Sequence, residues 1–168
     1  MPLIFAGPGH DAHGRTRFAV LAMLFAATAV NYADRATIAI AGPALSKELS
    51  LSPVQMGYIF SAFGWSYVIF QLPGGWLVDR LGSRWVYFWS IFVWSAFTAI
   101  QGSVHLLGTA TMVVAALFML RFLVGIAEAP SSPANGRIVA AWFPTSERGT
   151  AAAIFNSAQY FATALFAP

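Results

Sequence analysis

A short charged connection between two long apolar stretches reads Gly75-Trp76-Leu77-Val78-Asp79-Arg80-Leu81-Gly82-Ser83-Arg84. Gly75 lets a neighbouring helix approach closely, and Gly82 permits a tight turn. Asp79 can meet a helix N-terminus or an arginine, while Arg80 and Arg84 hold the connection on the cytoplasmic side of a membrane. We expect these residues to have structural and gating roles, because such a charge cluster can hold two helix bundles together in one state and release them in another.

The composition places the chain in lipid. Of the 168 residues, 58% are hydrophobic and only 9% are charged, whereas soluble domains average about 25% charged residues. The chain has no cysteine, which excludes disulfides and thiolate metal sites, and its three histidines (His10, His13 and His105) lie outside the apolar stretches. We therefore expect neither a metal site nor another cofactor.

Five apolar stretches predict an all-α membrane protein with five transmembrane helices, at about 18–45, 54–78, 85–102, 109–142 and 149–168. Each can cross ~30 Å of hydrocarbon as a helix. Pro130 and Pro133 predict a kink in the fourth stretch. Ser52-Pro53-Val54-Gln55 predicts a capped helix start. Residues 1–17 are predicted to be a disordered cytoplasmic tail.

Basic residues are distributed unequally between the two sides of these spans. Lys47 stands alone on one side. The other side carries six arginines: Arg15, Arg17, Arg80, Arg84, Arg137 and Arg148. This asymmetry places the N-terminus in the cytoplasm, and we expect the protein to lie in the inner membrane. The positive net charge is thus a topology signal, and no nucleic-acid partner is expected.

Four charged residues interrupt the apolar stretches: Asp34, Arg35, Arg121 and Glu128. A charge inside the bilayer costs several kcal/mol, so such residues mark a proton, ion or substrate route or are paired inside the bundle. Helical spacing puts Asn31, Asp34 and Arg35 on one helix face. It also puts Arg121, Gly125 and Glu128 on one helix face. Two interpretations stay open: structural pairs, Asp34 with Arg35 and Arg121 with Glu128, or groups that act in transport.

The motifs carry a family resemblance. The connection 75–84 resembles the signature loop of the major facilitator superfamily, and 121–128 is similar to the R-x-x-x-G motif of the same superfamily. Six segments resemble the anion:cation symporter family, within it the bacterial transporters of galactonate, glucarate and hexuronates: 31–35, 53–57, 60–65, 71–76, 121–130 and 142–144. The resemblance runs from about Phe18 to the end and covers the N-terminal half of a twelve-helix architecture, without its sixth helix. It implies a truncated product whose C-terminal half is missing.

The resemblance also implies a mechanism. Its members carry an organic anion, here a sugar acid, in symport with protons by alternating access. Residues that match the proton-carrying groups are Asp34 and Glu128, and Arg35 matches the arginine that contacts the substrate or governs them. The substrate site would be lined by Tyr32, Arg35, Tyr67 and Gln159. In this fold the first and fourth spans are counterparts and line one cavity.

We assign Arg121 and Gly125 structural or gating roles, with Arg121 divided between holding Glu128 and coupling. Asn31, Asn135 and Asn156 are weaker candidates for the substrate site. The expected partners are a small organic anion, protons, membrane lipid and the missing half of the transporter. This chain alone is expected to be inactive.

Three alternatives remain. A drug/proton antiporter of the same superfamily usually has a Gly- and Pro-rich fifth helix, which residues 151–160 lack. An intramembrane enzyme would need histidines or paired aspartates within the spans, where only one aspartate occurs, so no enzymatic activity is expected. A non-transporting remnant or regulatory fragment is the third.

Overall fold

The computed structural model describes residues 14–166, and these residues fold as helices joined by short turns. The elements are α1 (Thr16–Glu48), α2 (Pro53–Leu81), α3 (Ser83–Gln101), a short 3₁₀ helix (Val104–Leu107), α4 (Ala110–Glu128), α5 (Ser131–Trp142) and α6 (Arg148–Phe166). The predicted five-helix membrane fold is confirmed, with α4 and α5 together forming the fourth predicted span.

The tail prediction needs one correction. Thr16 and Arg17 belong to α1, so the helix begins two residues before the predicted span. Residues 1–13, which make up most of the predicted tail, lie outside the described part of the chain, as do the last two residues of the fifth predicted span.

Local sequence signals set the helix ends. Ser52 Oγ accepts the backbone N–H of Gln55 at 3.2 Å, and Gln55 Oε1 accepts the N–H of Ser52 at 2.8 Å. This confirms the capping box at the start of α2. Gly82 alone separates α2 from α3, with a φ of +84° that L residues with a side chain rarely adopt. The tight turn predicted at Gly82 is therefore confirmed.

The fourth span breaks at Ala129-Pro130, as its prolines predict. A proline has no N–H to give to the preceding turn, and its ring clashes with the carbonyl four residues earlier. The chain turns at this point and continues as α5. Because of the break, α5 can contact α2, α3 and α6, and its polar first turn comes to lie beside α1.

The helices pack as two groups. α1 lies mainly against α6, while α4 lies mainly against α2 and α3. Between α2 and α4 the contact is close, because a Cβ on Gly125 would overlap Ser66 Oγ and lie 2.7 Å from the carbonyl oxygen of Phe63. The expected packing of the first span near the fourth is found only as a small contact between α1 and α5.

Glycines of α2 differ in what they contact. A Cβ on Gly74 would lie 3.0 Å from Pro130 Cα, which makes Gly74 the point of close approach to the helix break. Gly75, which we expected in this role, would bring a Cβ only within 3.9 Å of Pro133, an ordinary van der Waals distance. The close approach is thus one residue earlier than predicted.

The outer surface is apolar. Leu72, Trp65 and Val68 of α2 are 85%, 67% and 64% exposed, which is a surface suited to lipid rather than water. Among the described helices, two are long and apolar enough to cross a membrane by length and composition: Thr16–Glu48 and the continuous stretch Ala110–Trp142.

Candidate functional site

A polar cavity of about 200 Å³ lies between the α1–α6 pair and the other helices. Its walls come from five helices: Ala27, Thr28, Asn31, Tyr32 and Arg35 of α1, Tyr67 of α2, Tyr87 and Trp94 of α3, Ser131, Ser132, Asn135 and Gly136 of α5, and Phe155 and Asn156 of α6. Arg35 is the one charged side chain among these lining residues. The cavity therefore combines a single positive charge with neutral hydrogen-bonding groups.

Arg35 extends from α1 across the bundle to α4. Its Nη2 and Nε donate to Glu128 Oε2 at 2.8 and 3.2 Å. The guanidinium carbon also lies 4.7 Å from the ring centroid of Tyr32 and 4.8 Å from those of Phe63 and Tyr67. Aromatic faces attract cations, most strongly when water is excluded. Arg35 is therefore held by a carboxylate and three rings at the edge of the cavity.

Glu128 is fully buried and has one carboxylate oxygen without a partner. Oε2 accepts both bonds from Arg35, while Oε1 is buried and hydrogen-bonded to no residue in the described part of the chain. The structural pairs considered from the sequence, Asp34 with Arg35 and Arg121 with Glu128, are wrong. The ion pair instead joins α1 to α4 through the long side chain of Arg35.

Arg121 lies near this pair and is not among the residues that line the cavity. Its side chain is 4% exposed, its guanidinium lies 5.0 Å from the ring centroid of Phe63, and it interacts electrostatically with Asp34 and Glu128. Asp34 is half-buried and accepts a bond from Thr98 Oγ1 of α3 at 3.3 Å. The face of α4 that bears Arg121 and Gly125 therefore points toward α2, not into the cavity as we expected.

The predicted substrate residues do not all come together. Tyr32, Arg35 and Tyr67 line the cavity, whereas Gln159 is not among the lining residues. The backbone carbonyl of Gln159 accepts the hydroxyl of Thr163 at 2.7 Å. On α6 the cavity is reached by Asn156, which lies three residues earlier and so nearly one turn away.

Sequence reasoning missed several polar residues of the cavity wall: Thr28, Tyr87, Ser131 and Ser132. A signal for Thr28 was present, because it stands three and seven residues before Asn31 and Arg35 and so shares their helix face. Ser131 has the same relation to Asn135, four residues on. These residue types are uncharged, and hydroxyl groups are common in transmembrane helices. Their presence in the sequence therefore does not by itself indicate a binding site.

The charged connection after α2 is tied to α5. Asp79 accepts a hydrogen bond from Arg137, which also donates to the carbonyl of Val78 at 3.4 Å. The other two arginines lie over indole rings, Arg80 at 5.2 Å from Trp76 and Arg84 at 6.0 Å from Trp85. The motif thus links the end of α2 to the helix that supplies the polar wall of the cavity.

Comparison with known proteins agrees with this architecture. The family model of the Major Facilitator Superfamily matches residues 5–168. The chain belongs to the major facilitator superfamily. Transporters of this superfamily are integral membrane proteins, and the apolar helices of this chain are therefore membrane-spanning.

Similar members of the superfamily are named for sugar acids. The chain is 63% identical over 152 residues to the probable galactarate/D-glucarate transporter GudP of Escherichia coli (strain K12), which covers 90% of this chain and 34% of that protein. It is 64% identical over 149 residues to the GudP protein of Pseudomonas putida, covering 89% and 32%. It is 42% identical over 155 residues to a D-galactonate transporter of Escherichia coli O6:H1, covering 92% and 34%. The chain spans about a third of the length of the curated relatives it matches.

Proposed function

We propose that this chain forms part of a secondary active transporter that carries a sugar acid together with protons by alternating access. The observation that carries the proposal is the position of Arg35, which lines the polar cavity and is paired with a buried carboxylate. The names of the similar relatives, galactarate/D-glucarate and D-galactonate transporters, support a sugar-acid substrate. We propose the bacterial inner membrane as its location, with the N-terminus in the cytoplasm.

Arg35 is the proposed anion-binding group. A guanidinium presents a planar fork of donors that matches a carboxylate. The bonds that Arg35 now gives to Glu128 are of the same kind as those it would give to a substrate carboxylate. Tyr32 and Tyr67 lie against the guanidinium and also line the cavity, so they would contact the bound anion.

Competition for Arg35 is the proposed coupling step. A substrate carboxylate that takes the guanidinium leaves Glu128 without its cationic partner in a fully buried place. A buried carboxylate with no partner is costly as an anion and becomes neutral by binding a proton. Substrate binding and proton binding then favour each other, which is the thermodynamic requirement for symport.

Asp34 is the proposed second proton group. It lies next to Arg35 in the sequence but accepts a hydrogen bond from Thr98 of α3, and it interacts electrostatically with Arg121 of α4. In this arrangement Arg121 is an electrostatic link between Asp34 and Glu128, and it is not a hydrogen-bonded partner of either. Movement of the Arg35 guanidinium away from Glu128 would therefore alter the electrostatic environment of both carboxylates, Asp34 and Glu128.

The connections of α2 to α3 and α5 are the proposed gating elements. Asp79 and Arg137 join α2 to α5, and Gly82 allows the sharp turn between α2 and α3. We propose that this connection fixes one conformation of the bundle, and that lipid surrounds its apolar exterior. The other walls of the substrate site would come from parts of the transporter that correspond to the unmatched two thirds of the relatives.

Uptake measurements on the native gene product test the proposal. In cells that lack other sugar-acid transporters, labelled galactarate should accumulate against its gradient when a proton gradient is present. Glu128→Gln and Asp34→Asn should each abolish this accumulation but keep galactarate exchange across the membrane, because exchange needs no net proton movement. Undiminished accumulation in both variants would contradict the coupling roles.

A matched control is Glu48→Gln, the same carboxylate-to-amide change at the exposed end of α1. It should leave both accumulation and exchange as they are in the wild type. An absence of sugar-acid uptake in the wild-type protein at normal membrane levels would instead contradict the proposed substrate class.

A further inference from the structure

Two residues that line the cavity each have a buried polar atom without a hydrogen-bond partner. Thr28 on α1 and Asn135 on α5 are each 8% exposed, and both line the cavity. Thr28 Oγ1 and Asn135 Oδ1 make no hydrogen bond with any residue between 14 and 166. Buried polar atoms are nearly always paired, so two exceptions in one cavity point to a ligand.

The hydroxyl of Thr28 differs from those of two other threonines inside the helices, Thr37 and Thr163. A threonine inside a helix commonly donates its hydroxyl to the carbonyl one turn earlier. Thr37 does so to Ala33 at 2.9 Å, and Thr163 does so to Gln159 at 2.7 Å. The hydroxyl of Thr28 lacks this bond although the residue lies well inside α1. Its donor and its acceptor are therefore both available to the cavity.

Asn135 is held in position by its surroundings. Its side chain interacts with the Tyr87 hydroxyl of α3, and it lies one turn after Ser131, whose hydroxyl is 3.3 Å from that of Ser90. These contacts fix the α5 wall, while Asn135 Oδ1 keeps its capacity to accept. Thr28 and Asn135 are both uncharged, so they suit neutral groups of a ligand.

We propose that Thr28 and Asn135 form a subsite that recognises the hydroxyl groups of a substrate whose carboxylate is held by Arg35. A hydroxyl both donates and accepts, so it can give its proton to Asn135 Oδ1 and exchange bonds in either direction with Thr28. This inference rests on the proposed sugar-acid transport and adds what makes the site prefer a polyhydroxy acid over an unsubstituted one. A site built to bond a hydroxyl discriminates against ligands that lack it.

Three six-carbon ligands separate the contribution of the carboxylates to binding from that of the hydroxyl groups. Galactarate has two carboxylates and four hydroxyls, adipate has the carboxylates alone, and galactitol has hydroxyls alone. Inhibition of labelled galactarate uptake by the native gene product should be strong with galactarate, weaker with adipate and absent with galactitol. Thr28→Val and Asn135→Ala should each lower the preference for galactarate over adipate by roughly three- to tenfold, the value of one neutral hydrogen bond. The inhibition constant of adipate should stay unchanged.

Further variants keep the test decisive. Thr28→Ser retains the hydroxyl and should keep the wild-type preference for galactarate over adipate. The comparison of Thr28→Val with Thr28→Ser therefore tests the subsite even where Asn135→Ala does not reach the membrane. Thr163→Val is the matched control, because that hydroxyl is bonded within α6 and Thr163 is not a lining residue. An unchanged preference in Thr28→Val and Asn135→Ala, with uptake intact, would overturn the subsite and leave the transport proposal standing. Failure of the wild type to carry any sugar acid would overturn both.

Discussion

Arg35 joins two functions in one side chain. It closes the ion pair between α1 and α4, and it supplies the one positive charge on the described cavity wall. Three aromatic rings restrict where its guanidinium can go. Because the fork and the planar shape are both used, lysine is a poor substitute here even though it has the same charge.

Arg35→Lys should therefore weaken sugar-acid binding strongly. A lysine ammonium cannot give two parallel hydrogen bonds to one carboxylate and does not stack on rings as a guanidinium does. We expect the KM for galactarate to rise by about ten- to a hundredfold, corresponding to loss of a charge-assisted bond of about 1.5–3 kcal/mol. Arg15→Lys, at the exposed start of α1, should leave the KM unchanged. A wild-type KM in Arg35→Lys would show that the guanidinium is not the anion-binding group.

The sequence predicted which residues matter near Arg35 better than it predicted their partners. Spacing along one helix places Asp34 and Arg35 three and four residues after Asn31 and so on the same side of α1. It does not show that Arg35 reaches Glu128, which is 93 residues away. That partner depends on how far apart α1 and α4 stand, and the distance is set by the packing of all the helices. The same reason explains why Gln159 was expected at the cavity and Asn156 lies there instead.

The packing of α4 against α2 sets the positions of the side chains around Arg35. Gly125 lets α4 press against the backbone and Ser66 of α2, and this contact positions both Phe63 and Tyr67 around Arg35. Signals within one element were readable from the sequence, as the capping box at Ser52 and the break at Pro130 show. The sequence did not show in which direction the face of α4 with Arg121 and Gly125 points, because that direction depends on the helix against which α4 packs.

Gly125→Ala should destabilise the bundle. The new methyl would overlap Ser66 Oγ and crowd the Phe63 carbonyl, and backbone cannot yield as a flexible side chain does. Overpacking of this kind costs about 1–3 kcal/mol, so the thermal unfolding temperature of the purified protein in detergent should fall by several degrees. Gly64→Ala on α2, where a Cβ meets nothing within 4 Å, is the control and should be neutral or slightly stabilising. Equal unfolding temperatures for the two variants would refute the close α2–α4 contact.

At the scale of the whole molecule, orientation follows from the distribution of arginines. Arginines flank the connection after α2 (Arg80 and Arg84) and the one before α6 (Arg137 and Arg148), whereas Lys47 is the one Lys or Arg near the connections after α1 and α3. The sequence predicted five spans and their order, because each span is a long local signal. It could not predict the cavity, whose walls come from five helices and exist only after packing.

The absence of native cysteine makes the orientation directly measurable. Single cysteines at Val54 and Ser103 should react with a membrane-impermeant maleimide added to intact cells. Cysteines at Ser83 and Ser146 should react only after the membrane is opened. The reverse pattern would place the N-terminus outside the cytoplasm and contradict the proposed topology.

In the proposed coupling step, a substrate carboxylate takes Arg35 from Glu128, and Glu128 then binds a proton. Titration calorimetry of the native gene product in lipid nanodiscs, with galactarate at the same pH in phosphate and in Tris, tests it most directly. The two buffers differ in ionisation enthalpy, so proton uptake on binding makes the measured enthalpies differ between them. We predict a clear difference in the wild type that is reduced in Glu128→Gln. Equal enthalpies in both buffers for the wild type, with galactarate bound, would contradict the claim.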